Sequence, residues 1–300
     1  MNVTFGRDNL ALTVFVPYDC NNNCAFCTSK KDYKINKPSV PDVWLAMLLL
    51  FKDYTFPIKD VVFTGGEPMC NVDTLKRLIS LVPVRCNVYI NTTLVNENLA
   101  EFVELVNNTP IIKGINVSRH GESYEEDKAL LCNIADDESV LLFKKPVRIN
   151  CVVQEQDFDK VLKRWSDKGV EVAFRRDFRG KLTKRELHSP YDSAALRLVS
   201  LGCKFVKHTF CNVCDTTVFE RNGSAVIYHK GTQETSLRRG DMLEINDLIV
   251  RQDGSFGYDW SGEDADVISR VWEMFKKKEG RRDYTPCSTR PTGGCGTGGC

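Results

Sequence analysis

Neither sign of charge dominates this chain: 41 Lys and Arg residues stand against 40 Asp and Glu residues in 300 positions, a formal net charge of +1. A global field that would draw the molecule onto nucleic acid or an anionic membrane is therefore excluded, and only local patches remain for such contacts. No apolar run is long enough to cross a bilayer; the longest, Val43 to Phe51, falls well short of the roughly 20 residues a spanning helix needs. The N-terminus lacks a basic segment followed by an apolar stretch and a small-residue cleavage site, so the expectation is a cytoplasmic protein without a membrane partner. Internal repeats are absent beyond an alternation of strand and helix patterns. Hydrophobic content of 42% and charged content of 27% are ordinary for a globular chain able to bury a large core.

Cysteine, by contrast, is plentiful, with 13 in the chain. In a reducing compartment that number argues for metal binding rather than a disulfide framework. The cysteines fall into three groups: Cys20, Cys24 and Cys27; Cys203, Cys211 and Cys214; and Cys287, Cys295 and Cys300. Cys70, Cys86, Cys132 and Cys151 stand alone and are expected to pack as small hydrophobes. The first group directly follows the apolar run Val14-Phe15-Val16, so a strand delivers three thiolates to one loop. Three thiolates are one ligand short of a closed site. Structural zinc and closed iron-sulfur centres take four protein ligands, whereas a metal that does chemistry keeps a position open.

Periodicity then sets the frame. Strands are expected at 11–16, 60–64, 87–91, 111–118, 147–153 and 170–174, and helices at 41–54, 71–81, 96–106, 122–134 and 158–167. Pro41 opens the first helix, Asn71 can cap the second and Gly169 closes the last. Such alternation implies right-handed crossovers and a parallel sheet covered by helices, with ligands gathered at the carboxyl ends of the strands. After about residue 190, Asn222-Gly223 and Asp253-Gly254 mark two hairpins of a small β-rich extension. A last helix is expected from 263 to 278, and the tail from Pro286 to Cys300 has no periodicity.

The spacing C-x3-C-x2-C with Phe26 before its last cysteine, together with Gly65-Gly66-Glu67-Pro68 after the second strand, resembles the radical SAM superfamily. The resemblance covers most of the first 180 residues in order. It implies a partial (β/α)6 barrel over 1–190, a twitch-like extension over 191–282 carrying a second metal site, and a Gly/Cys-rich tail over 283–300. Cys20, Cys24 and Cys27 would hold three irons of a 4Fe-4S cluster, and S-adenosylmethionine would chelate the fourth. An electron from a donor such as flavodoxin or ferredoxin would then cleave S-adenosylmethionine to a 5'-deoxyadenosyl radical, which abstracts hydrogen from the substrate.

Further roles follow from the same resemblance. Phe26 would lie near the adenine or pack over the cluster. Gly65, Gly66 and Glu67 would meet the methionine amino group, the glycines permitting a close backbone approach because neither carries a Cβ. Ser118 and Arg119 would meet the cofactor's carboxylate and ribose, Arg119 by a two-pronged contact. Asn150 would contact the ribose. An ordinary loop charge and a satisfied strand amide are the alternatives for Arg119 and Asn150.

Cys203, Cys211 and Cys214 have the thiolate count for an auxiliary iron-sulfur cluster, while C-x4-H-x2-C-x2-C, with His208 included, has the composition of a zinc site. The tail is a disordered Gly-rich end, or a source of Cys287, Cys295 or Cys300 for a metal, or a paired-glycine segment reaching the active site as in the molybdenum-cofactor cyclase of the superfamily. Arg175, Arg176, Arg179, Lys181, Lys184 and Arg185 follow the sixth strand and suit a phosphorylated nucleotide or nucleoside substrate; without interleaved aromatics they add little for nucleic acid. A peptide-modifying (RiPP-type) maturase is the alternative, against which the chain begins almost at its first strand, leaving no N-terminal peptide-recognition domain. A non-catalytic iron-sulfur or zinc protein that binds nucleic acid is the reading from another class.

Overall fold

A computed structural model describes residues 2–5, 10–22, 24, 27, 37–52, 58–153, 156–177, 184–187, 189, 192–210, 214–231, 236–245, 247–258 and 260. The helix expected over 263–278 and the Cys/Gly tail lie outside these residues.

The first half of the chain alternates strand and helix. It runs β1 (Asn2–Phe5), β2 (Leu10–Phe15), α1 (Val40–Lys52), β3 (Ile58–Thr64), α2 (Val72–Ser80), β4 (Asn87–Thr92), α3 (Leu99–Asn108), β5 (Ile112–Ser118) and α4 (Tyr124–Leu131). Then come β6 (Val147–Val153), α5 (Phe158–Arg164), β7 (Glu171–Arg176), α6 (Lys184–Leu187) and α7 (Ser193–Ser200). The second half is β8 (Lys204–Phe210), β9 (Cys214–Arg221), β10 (Ser224–Gly231), β11 (Ser236–Arg239), β12 (Met242–Ile245), β13 (Asp247–Val250) and β14 (Phe256–Gly257).

Local chemistry accounts for the boundaries. Asn71 caps α2 by accepting from the Thr74 amide at 2.9 Å, and Val72, Leu75, Leu78 and Ile79 bury one stripe of that helix. The turn after α5 ends at Gly169, whose φ of +83° needs a residue without a Cβ. Asn222 and Gly223 both take positive φ between β9 and β10, the two-residue hairpin their pairing in sequence implies.

Strands β2 to β7 pair in sequence order and in parallel, giving the mostly parallel α/β sheet that a partial barrel requires. Their carboxyl ends share one rim. Most of the later strands join this sheet. β10 joins β7 in parallel, β13 joins β2 in parallel, and the full order is β14-β13-β2-β3-β4-β5-β6-β7-β10-β9-β8. The extension expected after residue 190 thus covers both edges of the six-stranded unit. A separate three-stranded sheet has the order β1-β12-β11.

One hydrophobic core runs between sheet and helices, and Phe158 of α5 stacks on Phe174 of β7 with ring centroids 4.3 Å apart. Arg221 at the end of β9 reaches Asp159 at 3.3 Å and Asp167 at 3.2 Å, fastening the hairpin to the α5 region. No helix among the described residues is long and apolar enough to cross a membrane.

Candidate active site

Four loops meet at the rim where β2 to β5 end. Residues 16–27 follow β2 and carry Cys20, Cys24 and Cys27 as free thiols, the first and last exposed and Cys24 half-buried. Gly65 to Pro68 follow β3, Thr92 ends β4 with Thr93 after it, and Ser118 ends β5 with Arg119 and His120 after it.

Gly66 sets the distance between the first two loops. A Cβ there would lie 2.5 Å from the Tyr18 carbonyl oxygen and 3.2 Å from Asp19, so the glycine lets the Gly-Gly turn press on the root of the cysteine loop. The close approach is of backbone to backbone, whereas the sequence suggested backbone to ligand. Gly65 has φ +104°, a conformation that favours glycine. Tyr18 reinforces the contact by donating its hydroxyl to the Pro68 carbonyl at 2.8 Å.

Glu67 is buried, at 1% exposure, and its carboxylate is fully engaged within the protein. Oε1 accepts from the Met69 amide at 3.1 Å and the Thr92 hydroxyl at 2.6 Å. Oε2 accepts from the Thr93 amide and the Thr93 hydroxyl, both at 2.7 Å. Burial pushes the Glu67 pKa up, and these four donors pull it back. The side chain therefore fixes the turn, and only the backbone of the segment is left to meet a ligand.

Arg119 needs the corresponding correction. Its guanidinium is buried and donates to the carbonyls of Thr93 at 2.6 Å, Ser118 at 2.8 Å and Ala135 at 2.9 Å. Burial lowers its pKa to about 10. The two-pronged grip on a carboxylate is replaced by a brace across three backbone segments, with Nε buried and without a hydrogen-bond partner.

The next residue, His120, has its Nδ1 accepting from the Val152 amide at 3.0 Å, and burial pushes the imidazole down to about 3, the Arg119 charge acting in the same sense. A depressed histidine pKa contributes stability that is present above about 6.5 and lost as pH falls toward about 3. Unfolding free energy is expected to fall by an extra ~1.4 kcal/mol per pH unit across that window. Denaturant titrations from pH 7 to pH 4 check this, because His120→Gln should remove that share of the slope.

Asn150 is buried on β6 and accepts from Nε of Arg175 at 3.3 Å, so its amide already serves a neighbour on β7. Ser118 stands beside it in register, half-buried. Sequence reading missed the polar ladder on the same side of the sheet: Asn116 donates to Asn91 at 2.7 Å, and Asn91 to Thr64 at 3.4 Å. Alternation in β4 and β5 could have flagged these amides, since they interrupt otherwise apolar buried strands. Phe26 lies outside the described residues.

Two supposedly isolated cysteines also belong to this rim. Cys70 is within electrostatic reach of Cys20, and Cys132 of Cys24. Cys132 is exposed and Cys70 half-buried, whereas Cys86 and Cys151 are buried as expected. Among the described residues no three His, Cys, Asp or Glu side chains already converge in metal-holding geometry. The donor chemistry nevertheless fits an iron-sulfur cluster: three unpaired sulfurs on one loop, pressed on by a glycine turn. Desolvation pushes the Cys20 and Cys24 thiols up to about 12, which favours their neutral form in the metal-free loop. Binding there would release protons.

The second cysteine group does not assemble as its spacing suggested. Cys203 precedes β8, whose Lys204 pairs with Glu220, while Cys214 begins β9 at the other end of the same ladder. Seven residues of extended strand put the two on the order of 20 Å apart, too far for one metal whose sulfur ligands each lie about 2.3 Å from it. His208 sits near the Cys214 end, its Nε2 2.9 Å from Asp215 Oδ2. Cys211, Cys287, Cys295 and Cys300 lie outside the described residues.

Of the six cations expected after the sixth strand, Arg175 and Arg176 are instead the last two residues of β7; Arg175 is buried and Arg176 stands 3.9 Å from Asp192. Arg179 and Lys181 lie outside the described residues, as do the side chains of Lys184 and Arg185.

No curated protein matches the chain by sequence. Among solved structures, Streptococcus suis SuiB bound to S-adenosylmethionine is similar at 19% identity and a TM-score of 0.45, over 64% of this chain and 43% of that one. SuiB bound to the precursor peptide SuiA gives 17% and 0.47, over 64% and 44%. The anSMEcpe protein with bound AdoMet gives 15% and 0.43, over 59% and 55%. The chain thus spans about half the length of these proteins or less, and the scores are too low to carry more than a general likeness. Residues 14–125, the stretch that holds both the cysteine loop and the Gly-Gly-Glu-Pro turn, match the Radical SAM superfamily.

Proposed function

We propose that the chain is an enzyme that holds a 4Fe-4S cluster on Cys20, Cys24 and Cys27, binds S-adenosylmethionine beside it, and abstracts hydrogen from an organic substrate. The observation that carries the reading is the contact of Gly66 with Tyr18 and Asp19, which joins the two motifs into one surface. When bound, the cluster and S-adenosylmethionine supply a 5'-deoxyadenosyl radical. The protein's part is to hold the loops in register through Glu67 and Arg119 and to line the sheet face with Ser118, Asn150, Asn91 and Asn116 for the cofactor and substrate.

For substrate we infer a phosphorylated nucleotide or nucleoside, supported by the cations at the end of β7 and after it, of which Arg175 and Arg176 are already engaged in the fold. A peptide is the second reading; SuiB and anSMEcpe were both solved with peptides bound. Residues 1–190 would generate the radical and 191–282 face the substrate, although both contribute strands to one sheet. An auxiliary cluster, or zinc in its place, would draw on Cys211, Cys214 and the tail cysteines, with His208 nearby and without Cys203. A small reductant protein of the flavodoxin or ferredoxin kind would deliver the electron.

Protein reconstituted without oxygen and reduced with dithionite is expected to release 5'-deoxyadenosine and methionine. Iron counted on the same sample separates about four atoms from the larger number an auxiliary cluster would bring. A sample loaded with iron and sulfide that releases no 5'-deoxyadenosine overturns the reading in favour of a non-catalytic metal protein.

A further inference from the structure

Between Cys20 and Cys24 stand three asparagines, and the middle one does something the spacing does not reveal. The Asn22 carboxamide donates from Nδ2 to the Thr93 hydroxyl at 2.7 Å and to the Asn133 carbonyl at 3.1 Å, and Oδ1 accepts from the Asn133 amide at 2.9 Å. Both protons and the oxygen are used, so the amide has one orientation only. The Asn22 backbone amide also donates to Cys20 Sγ at 3.4 Å.

Thr93 is the shared partner. It accepts from Asn22 on its hydroxyl oxygen, gives that hydroxyl proton and its amide proton to Glu67, and offers its carbonyl to Arg119. The chain of contacts therefore runs from the cysteine loop through one hydroxyl to the carboxylate that sets the Gly-Gly-Glu-Pro turn. On the other side Asn133 follows Cys132, whose φ of +69° is left-handed, and Asn133 in turn donates to Glu97 at 2.7 Å. Cys24 packs against Leu131 and Ile134 of the same stretch.

We propose that Asn22 is a positioning residue for the cluster, coupling the cysteine loop to the Gly65–Glu67 turn through the Thr93 hydroxyl. S-adenosylmethionine bound at the turn is then felt at the sulfurs, and the cluster in turn stiffens the cofactor's seat. Partners that orient metal ligands in this way are worth about 10–100-fold in metal affinity. The proposal rests on the radical SAM reading above.

The full chain reconstituted without oxygen provides the test, with two readouts that do not need turnover. These are iron retained under a chelator challenge and the electron paramagnetic resonance spectrum of the reduced cluster with and without S-adenosylmethionine. Asn22→Ala and Thr93→Val are expected to lose iron about 10–100-fold more readily than wild type and to lose the spectral shift that S-adenosylmethionine induces. Thr93→Ser, which keeps the hydroxyl, is expected to restore both. Signals are compared per folded chain, from circular dichroism of the metal-free protein. Wild-type behaviour in Asn22→Ala overturns the proposal, as does a Thr93→Ser variant as impaired as Thr93→Val. A wild-type chain that takes up no four-iron cluster overturns the radical SAM reading itself and the proposal with it.

Discussion

Cys24→Ala is expected to release no 5'-deoxyadenosine above background and to retain well under half of the wild-type iron. Cys24 is the middle thiol of the loop, and two remaining sulfurs cannot hold a centre that takes three ligands from the chain. Its side chain is half-buried against Leu131 and Ile134, outside the main core. The fold should therefore survive, with a change in unfolding free energy within about 1 kcal/mol. Cys132→Ala supplies the contrast. It removes a thiol from the same corner of the rim, and it should keep both iron and product. Loss of product in both variants, or in neither, would contradict the assignment of Cys24 as a ligand.

The second large effect concerns Glu67, where even the conservative substitution is expected to be costly. Each carboxylate oxygen accepts two hydrogen bonds, from Met69 and Thr92 on one side and twice from Thr93 on the other. A glutamine must place its NH2 against one of these pairs; the threonine hydroxyl there can turn to accept from it, but the backbone amide, Met69 or Thr93, is left without an acceptor. Glu67→Ala removes all four bonds and leaves buried donors without partners. Unsatisfied buried groups cost about 1–3 kcal/mol each, so Glu67→Gln, with one amide stranded, should lose about 1–3 kcal/mol of unfolding free energy and Glu67→Ala roughly 3 kcal/mol or more. Urea titration of the metal-free protein measures this without reference to activity. A Glu67→Gln variant as stable as wild type would show that the carboxylate is not held as described.

Much of the architecture could be read from residues alone because its causes are local. Apolar runs of strand length, the Asn71 cap, the Gly169 stop and the Asn222-Gly223 turn each act over a few positions, and each lies where the periodicity placed it. The two motifs were legible for a different reason: only a few residue types suit a thiolate loop or a turn without Cβ atoms. What escaped depends on distant pairing. Cys203 and Cys214 look like neighbours in a spacing, but the segment between them is a strand that holds them apart. Arg119 and Glu67 have side chains suited to a ligand, yet Glu67 is held by Met69, Thr92 and Thr93 and Arg119 by the carbonyls of Thr93, Ser118 and Ala135. Asn22 is one of three adjacent asparagines, and only its contact with Thr93, 71 residues away, distinguishes it.

The pairing of β13 with β2 has a consequence for how the molecule is made. Asp247 stands opposite Ala11 and Val250 opposite Val14, so the first strand of the parallel sheet keeps an open edge until a partner 236 positions further along the chain (247 minus 11) has been made. Contacts of such long sequence separation form slowly, because loop closure must precede them. Throughout synthesis, the strand that leads into the cysteine loop would present unpaired amides and carbonyls to other chains. Iron-sulfur loading is then best timed after the last strand has docked, and a nascent chain stalled before residue 247 would be the species most prone to aggregate.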